Sequence, residues 1–126
     1  MNTDLRNQHI NNTRRNIINT LYLISSKEKQ LNYQENVPIA RVSAELFCQW
    51  DEHFPSEKND DLFRETFNED ERMILCEFNE VFERVAEATP NDLPDIHDFI
   101  KTDALVQLSK AASIALKKLS NVNLHQ

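Results

Sequence analysis

The sequence predicts an all-α, single-domain bundle of five to seven helices, and three observations predict it. Apolar residues recur at three- and four-residue spacing in segment after segment, the period of one helical face. No segment shows the apolar–polar alternation of a half-buried strand. The chain contains no glycine at all, although hairpins and positive-φ turns favour it. A chain of 126 residues suits one domain with one sizeable core. Its ends, residues 1–9 and 121–126, are expected to fray.

The elements follow in order. Ile10, Ile17, Leu21 and Ile24 keep helical spacing, with Ile18 and Ser25 beside them, so a first helix is expected from about Thr13 to Ser25. Tyr22 and Leu23 extend its apolar surface around most of the circumference, which places it at the bundle centre. "SSKEKQLNYQEN" reads as a short second helix anchored by Leu31 and Tyr33. "NVPIARVSAELFCQWDEHFP" opens on a proline-marked connection and enters a third helix with Ser43 as N-cap. Val42 and Phe47 stand at hydrophobic-staple spacing around that cap. Leu46, Trp50 and Phe54 share the inner face, and Pro55 closes the helix.

After the polar "SEKNDD", "DDLFRETF" predicts a short helix burying Leu62, Phe63 and Phe67. The clearest helix runs from about Asn68 to Ala88. Asn68 and Glu71 have the spacing of a capping box, and Glu69 and Asp70 suit the positive end of the macrodipole. Phe67, Ile74, Phe78, Val81, Phe82 and Val85 form its apolar stripe, and Thr89-Pro90 ends it. "NDLPDIHDFI" is a loop with room for one helical turn. Thr102 or Asp103 caps a last helix to about Ser120, with Leu105, Leu108, Ala112, Ala115, Leu116 and Leu119 inward. Lys117 and Lys118 would fall in its final turn, where the dipole favours cations.

Composition narrows the function. Hydrophobic residues at 40% and charged residues at 28% sit near globular averages, so the chain is not a disordered one. Without glycine, the Walker and dinucleotide phosphate loops cannot be written. No apolar run approaches a membrane span, and "MNTDLRNQHINNTRRN" lacks the apolar stretch of a signal peptide. Cys48 and Cys76 have no CxxC spacing and read as two reduced thiols, so a cytoplasmic protein is expected. The net charge of −7 is unevenly placed: Asp51 to Asp103 holds 17 acids against 5 bases, a local net of −12. Such a body is repelled by nucleic acid and anionic membranes and attracts a basic partner.

Motifs of catalysis and metal binding are weak. His53 projects beside Leu46 and Trp50, the position of a histidine at a core edge. His97 lies between Asp95 and Asp98, but there is no HExxH, no paired histidine at helical spacing and no nearby cysteine. "SEKNDDLFRETF" lacks the ligand spacing and the glycine of a calcium loop. "TRRN" and "LKKL" have ordinary uses at helix ends. No cofactor, metal or enzymatic activity is expected.

The acids of the long helix carry the strongest functional signal. On a helical wheel Glu80, Glu83 and Glu87 lie opposite the apolar stripe, with Glu77 at one flank. Arg84 relieves Glu80, whereas Glu83 and Glu87 are like charges at i,i+4, unfavourable by roughly 0.2–0.5 kcal/mol. Met73 and Cys76 project within the same face. It reads either as a solvated surface or as a partner surface, with acids for steering and a soft apolar contact. Asp51, Glu52, Glu57, Asp60 and Asp61 would extend that field if the third and fourth helices pack alongside.

A small, acidic, glycine-free helical chain with "VPIARVSAELFCQW" opening its third helix resembles the bacterial immunity proteins of contact-dependent growth inhibition systems. The resemblance is of general character across the whole chain, and it carries over no residue by position. It implies a cognate toxin, commonly a nuclease, whose basic substrate groove is blocked by an acidic surface. Two other classes stay open: a helical adaptor or regulator of another basic protein, and a small helical enzyme using scattered carboxylates. A neighbouring toxin gene would favour immunity over both, and a bound metal or a strongly raised carboxyl pKa in a pocket would favour the enzyme.

Overall fold

The first helix, α1, runs Thr3–Ser25 and so begins well ahead of Thr13, where apolar periodicity places its start. The structure, a computed structural model, describes residues 3–55 and 60–124, the last two by backbone alone. The polar leading turns of α1 are held by ion pairs, which leave no apolar period. Arg6 Nε donates to Glu65 Oε2 at 2.8 Å. Arg14 grips Glu71 through both nitrogens of its fork, at 3.3 and 2.6 Å. The Arg14 guanidinium also lies 5.1 Å from the centre of the Phe67 ring, a cation–π placement.

Six further helices follow among the described residues: α2 (Lys27–Asn36), α3 (Val42–His53), α4 (Asp61–Thr66), α5 (Glu69–Ala88), α6 (Ile96–Phe99) and α7 (Asp103–Leu124). There is no strand among them, as the glycine-free, helix-periodic sequence predicts. α1 packs against α2, α3, α4 and α7, and α7 packs in turn on α5. Ile17, Leu21 and Ile24 are fully buried at this crossing. The helix is not apolar all round, however. Tyr22 is 48% exposed, Ile10 is half-buried, and Ile18 and Leu23 are half-buried against the core.

Polar side chains make several of the joints. Ser26 caps α2 by accepting from the Lys29 amide. The buried anchor of α2 is Gln30, with Leu31 and Tyr33 only half-buried beside it. Gln30 Nε2 donates to the carbonyls of Leu23 and Ile24, both at 2.9 Å, and so satisfies the open end of α1. Ser109 on α7 donates to the same Ile24 carbonyl at 2.7 Å. Ser43 is not the N-cap of α3: that position is Arg41, without a side-chain cap. Ser43 lies one residue inside the helix and donates to Pro94 O at 2.7 Å, fastening α3 to the segment before α6. Gln34 takes the capping role, its Oε1 accepting from the Val42 amide and its Nε2 donating to Ala40 O.

The α4–α5 junction follows expectation. Asp60 caps α4 by accepting from the Phe63 amide. Asn68 and Glu71 form the complete capping box of α5, at 2.8 and 3.0 Å. Glu71 is itself buried, which its charge did not announce. Phe63 and Phe67 are buried and Leu62 half-buried. Along α5, Leu75 is buried and Val81 half-buried, so the core face turns toward α3 relative to the predicted stripe. Trp50 centres the aromatic core, stacked on Phe54 at 4.9 Å and edge-on to Phe78 at 4.7 Å. α7 continues to Leu124, so Lys117 and Lys118 precede its final turn.

Candidate functional site

The end of α3 stands between two adjoining surface grooves. The first, about 430 Å³, is lined by Thr13 and Asn16 of α1, Asp51, Glu52, His53, Phe54 and Pro55, and Asp60, Leu62 and Phe63 at α4. The second, about 310 Å³, lies between α3 and α5 and is lined by Trp50, Asp51, Phe54, Pro55, Cys76, Asn79, Glu80 and Glu83. Asp51, Phe54 and Pro55 belong to both. Five acids therefore border one apolar ridge, and among the described residues no lysine or arginine lines either groove. The helices bring these acids together because Trp50 and Phe54 must pack on Phe78 and Phe63, which draws α3 over α5 and α4.

The carboxylates are differently held. Trp50 is fully buried, and its indole N–H donates to Asn79 Oδ1 at 2.9 Å. Asn79 Nδ2 donates in turn to Glu83 Oε1 at 3.2 Å, so the core orients the acid at the rim. Asn79 carries no signal of this role in the sequence, since an asparagine in mid-helix has no period to betray it. The tryptophan with its obligatory donor was the available clue. Partial burial holds the Asp51 carboxyl above its ordinary pKa, and the neighbouring Glu83 charge adds to the effect. Asp60 has part of its capacity committed to the α4 cap.

The remaining predicted residues fall elsewhere. Glu77 is on the opposite flank of α5, where its Oε2 accepts from Lys118 Nζ at 3.1 Å. Met73 is 58% exposed on α5 and lines neither groove. Glu87 is exposed near the end of α5, also outside both groove walls. Asp61 is exposed at the start of α4, and its charge, with that of Asp60, reaches Arg6. Glu57 lies outside the described residues.

His53 is half-buried in the wall of the first groove, at the core edge where its helical projection puts it. His97 is exposed, and its Nδ1 lies 2.7 Å from Asp95 Oδ1. Hydrogen bonds from the His97 amide and ring hold the Asp95 carboxyl below its ordinary range. Cys76 is half-buried beside Asn79, and Cys48 is exposed; both are free thiols. Among the described residues no three His, Cys, Asp or Glu side chains are grouped to hold a metal ion. No helix among them is long and apolar enough to cross a membrane. The arrangement suits recognition of extended positive charge, with an apolar ridge for contact and acids on both sides. No family model, curated protein or solved structure matches the chain.

Proposed function

We propose that the protein is a non-enzymatic inhibitor whose paired acidic grooves cover the basic substrate groove of a partner, most specifically a cognate ribonuclease-type toxin in the cytoplasm. One observation carries the reading. Asp51, Glu52, Asp60, Glu80 and Glu83 border the Phe54–Pro55 ridge, and among the described residues no lysine or arginine lines either wall. A surface so arranged is incompletely satisfied alone and gains from a partner that supplies lysine or arginine. Asp51 illustrates this, since a carboxylate disfavoured in the free protein recovers stabilisation when a cation arrives.

The reading is tested in cells and on the purified complex. Protection is scored in cells expressing the toxin encoded beside this gene, and binding to that toxin is followed kinetically at several salt concentrations. The Glu80→Lys/Glu83→Lys double variant should lose protection, while Glu28→Lys/Glu35→Lys, on α2, should keep it. Association should slow steeply as salt rises. Full protection by the groove variant would remove the grooves as the binding face. Failure of the unaltered protein to bind any neighbouring toxin, with a basic protein recovered from its host instead, would move the reading to an adaptor.

A further inference from the structure

The far side of α5 carries a different kind of surface. Between α5 and α7 runs a shallow groove of about 160 Å³, lined by Ile74, Glu77, Phe78, Val81, Ala111, Ile114, Ala115 and Lys118. Its floor is apolar, Ile114 in its lining is 46% exposed, and Met73, one residue before the lining Ile74 on α5, is 58% exposed. The charge is divided along its length. Glu77 lies on the α5 bank, with exposed Asp70 on the same helix. Lys118 lies on the α7 bank, with exposed Lys110 and Lys117 on that helix. Arg84 is an opposing charge on the α5 side. Glu77 and Lys118 meet across the groove at 3.1 Å.

An apolar channel with one acidic and one basic bank is complementary to itself under one particular two-fold rotation. With the axis lying in the contact plane and running along the channel, each acidic bank faces the basic bank of the other copy. Glu77 then lies over Lys118 of the second copy, and the reverse contact forms by symmetry. With the axis across the channel, acid would face acid. For a chain of net charge −7, long-range repulsion disfavours contact through the acidic grooves, whereas the mixed-charge face can set acid against base. We infer that the α5–α7 groove is the interface of a two-fold homodimer, with Met73 and Ile114 as its apolar contacts and Glu77 and Lys118 crossing between copies. This does not rest on the acidic-groove reading, because those grooves lie on the α3 side of α5.

Sedimentation equilibrium from micromolar to millimolar protein tests it. The unaltered protein should dimerise. Glu77→Lys alone and Lys118→Glu alone should each weaken the dimer at least about tenfold, since each puts two like-charge pairs in the contact. An equimolar mixture of the two variants should recover it, because every contact between unlike copies is again acid to base. That recovery is invisible to a purely intrachain role of the pair. Circular dichroism confirms that both variants remain folded, and Ile114→Asp should abolish the dimer without charge swapping. A monomeric unaltered protein, or a mixture no tighter than its components, overturns the inference.

Discussion

Asp51 and Glu71 are both acids, yet the structure uses them in opposite ways. Glu71 is buried, with its side chain only 5% exposed, and Arg14 supplies its counter-charge at 2.6 Å. Replacing Arg14 by leucine strands a buried carboxylate and should cost about 3–5 kcal/mol in chemical denaturation. The Arg14→Leu/Glu71→Leu pair should cost clearly less than the two single changes added together, since the stranded charge is gone. Asp51 has no such partner among the described residues. Its pKa is raised, so the folded state holds the proton more tightly than the unfolded chain. Its contribution favours folding below the ordinary aspartate range and is lost as pH rises through the raised folded value. Asp51→Asn should therefore leave the melting temperature at neutral pH unchanged or higher, while weakening partner binding. A fall in stability with binding intact would reverse its assignment.

At the level of elements, the joints are made by polar side chains that reach backbone groups. Ser43→Ala removes the tie from α3 to the Pro94 carbonyl and should cost about 1 kcal/mol. Hydrogen exchange should then quicken at α6, not at the start of α3, as loss of a cap would require. Asn68→Ala breaks the capping box and should also cost about 1 kcal/mol, with fraying confined to the first turn of α5. Arg6→Ala removes only an exposed contact to Glu65, so the melting temperature should hardly move.

Over the whole molecule, charge is sorted by face. The described walls of the grooves on the α3–α4 side carry acids without lysine or arginine, while the α7 side of α5 pairs acid with base. Glu65 beside Arg6 and Asp95 beside His97 have pKa values lowered by their partners, but both are solvent-exposed, so their share in unfolding as pH falls should be small. Their stabilisation is present above the ordinary carboxylate range and disappears as pH drops through the lowered folded values. Asp51 acts in the opposite sense over its own window. An Asp51→Asn variant should consequently show a steeper loss of stability on acidification than the unaltered protein, measured by denaturant midpoint against pH.

The helical class, the capping box at Asn68–Glu71 and the burial of Ile17, Leu46, Phe78 and Leu108 were legible in the chain. Each follows from residues within a turn or two of one another, and local spacing records such relations. The extension of α1 to Thr3, the placement of Ser43 against Pro94 and the burial of Gln30 and Glu71 were not. The partners of Arg6, Ser43 and Glu71, which are Glu65, Pro94 and Arg14, are distant in sequence, and Gln30 reaches back to the end of a different helix. A polar residue held by such a partner has the same local signature as a solvated one. The same limit divides the acidic face. Sequence alone grouped Glu77, Glu80, Glu83 and Glu87 on one helix, because 100° steps fix their directions. Only the packing of α3 and α7 on either side of α5 decided that Glu80 and Glu83 join Asp51 in a groove while Glu77 turns to Lys118. A helix periodicity specifies which way side chains point, but what they meet depends on which neighbour the buried aromatic contacts draw alongside.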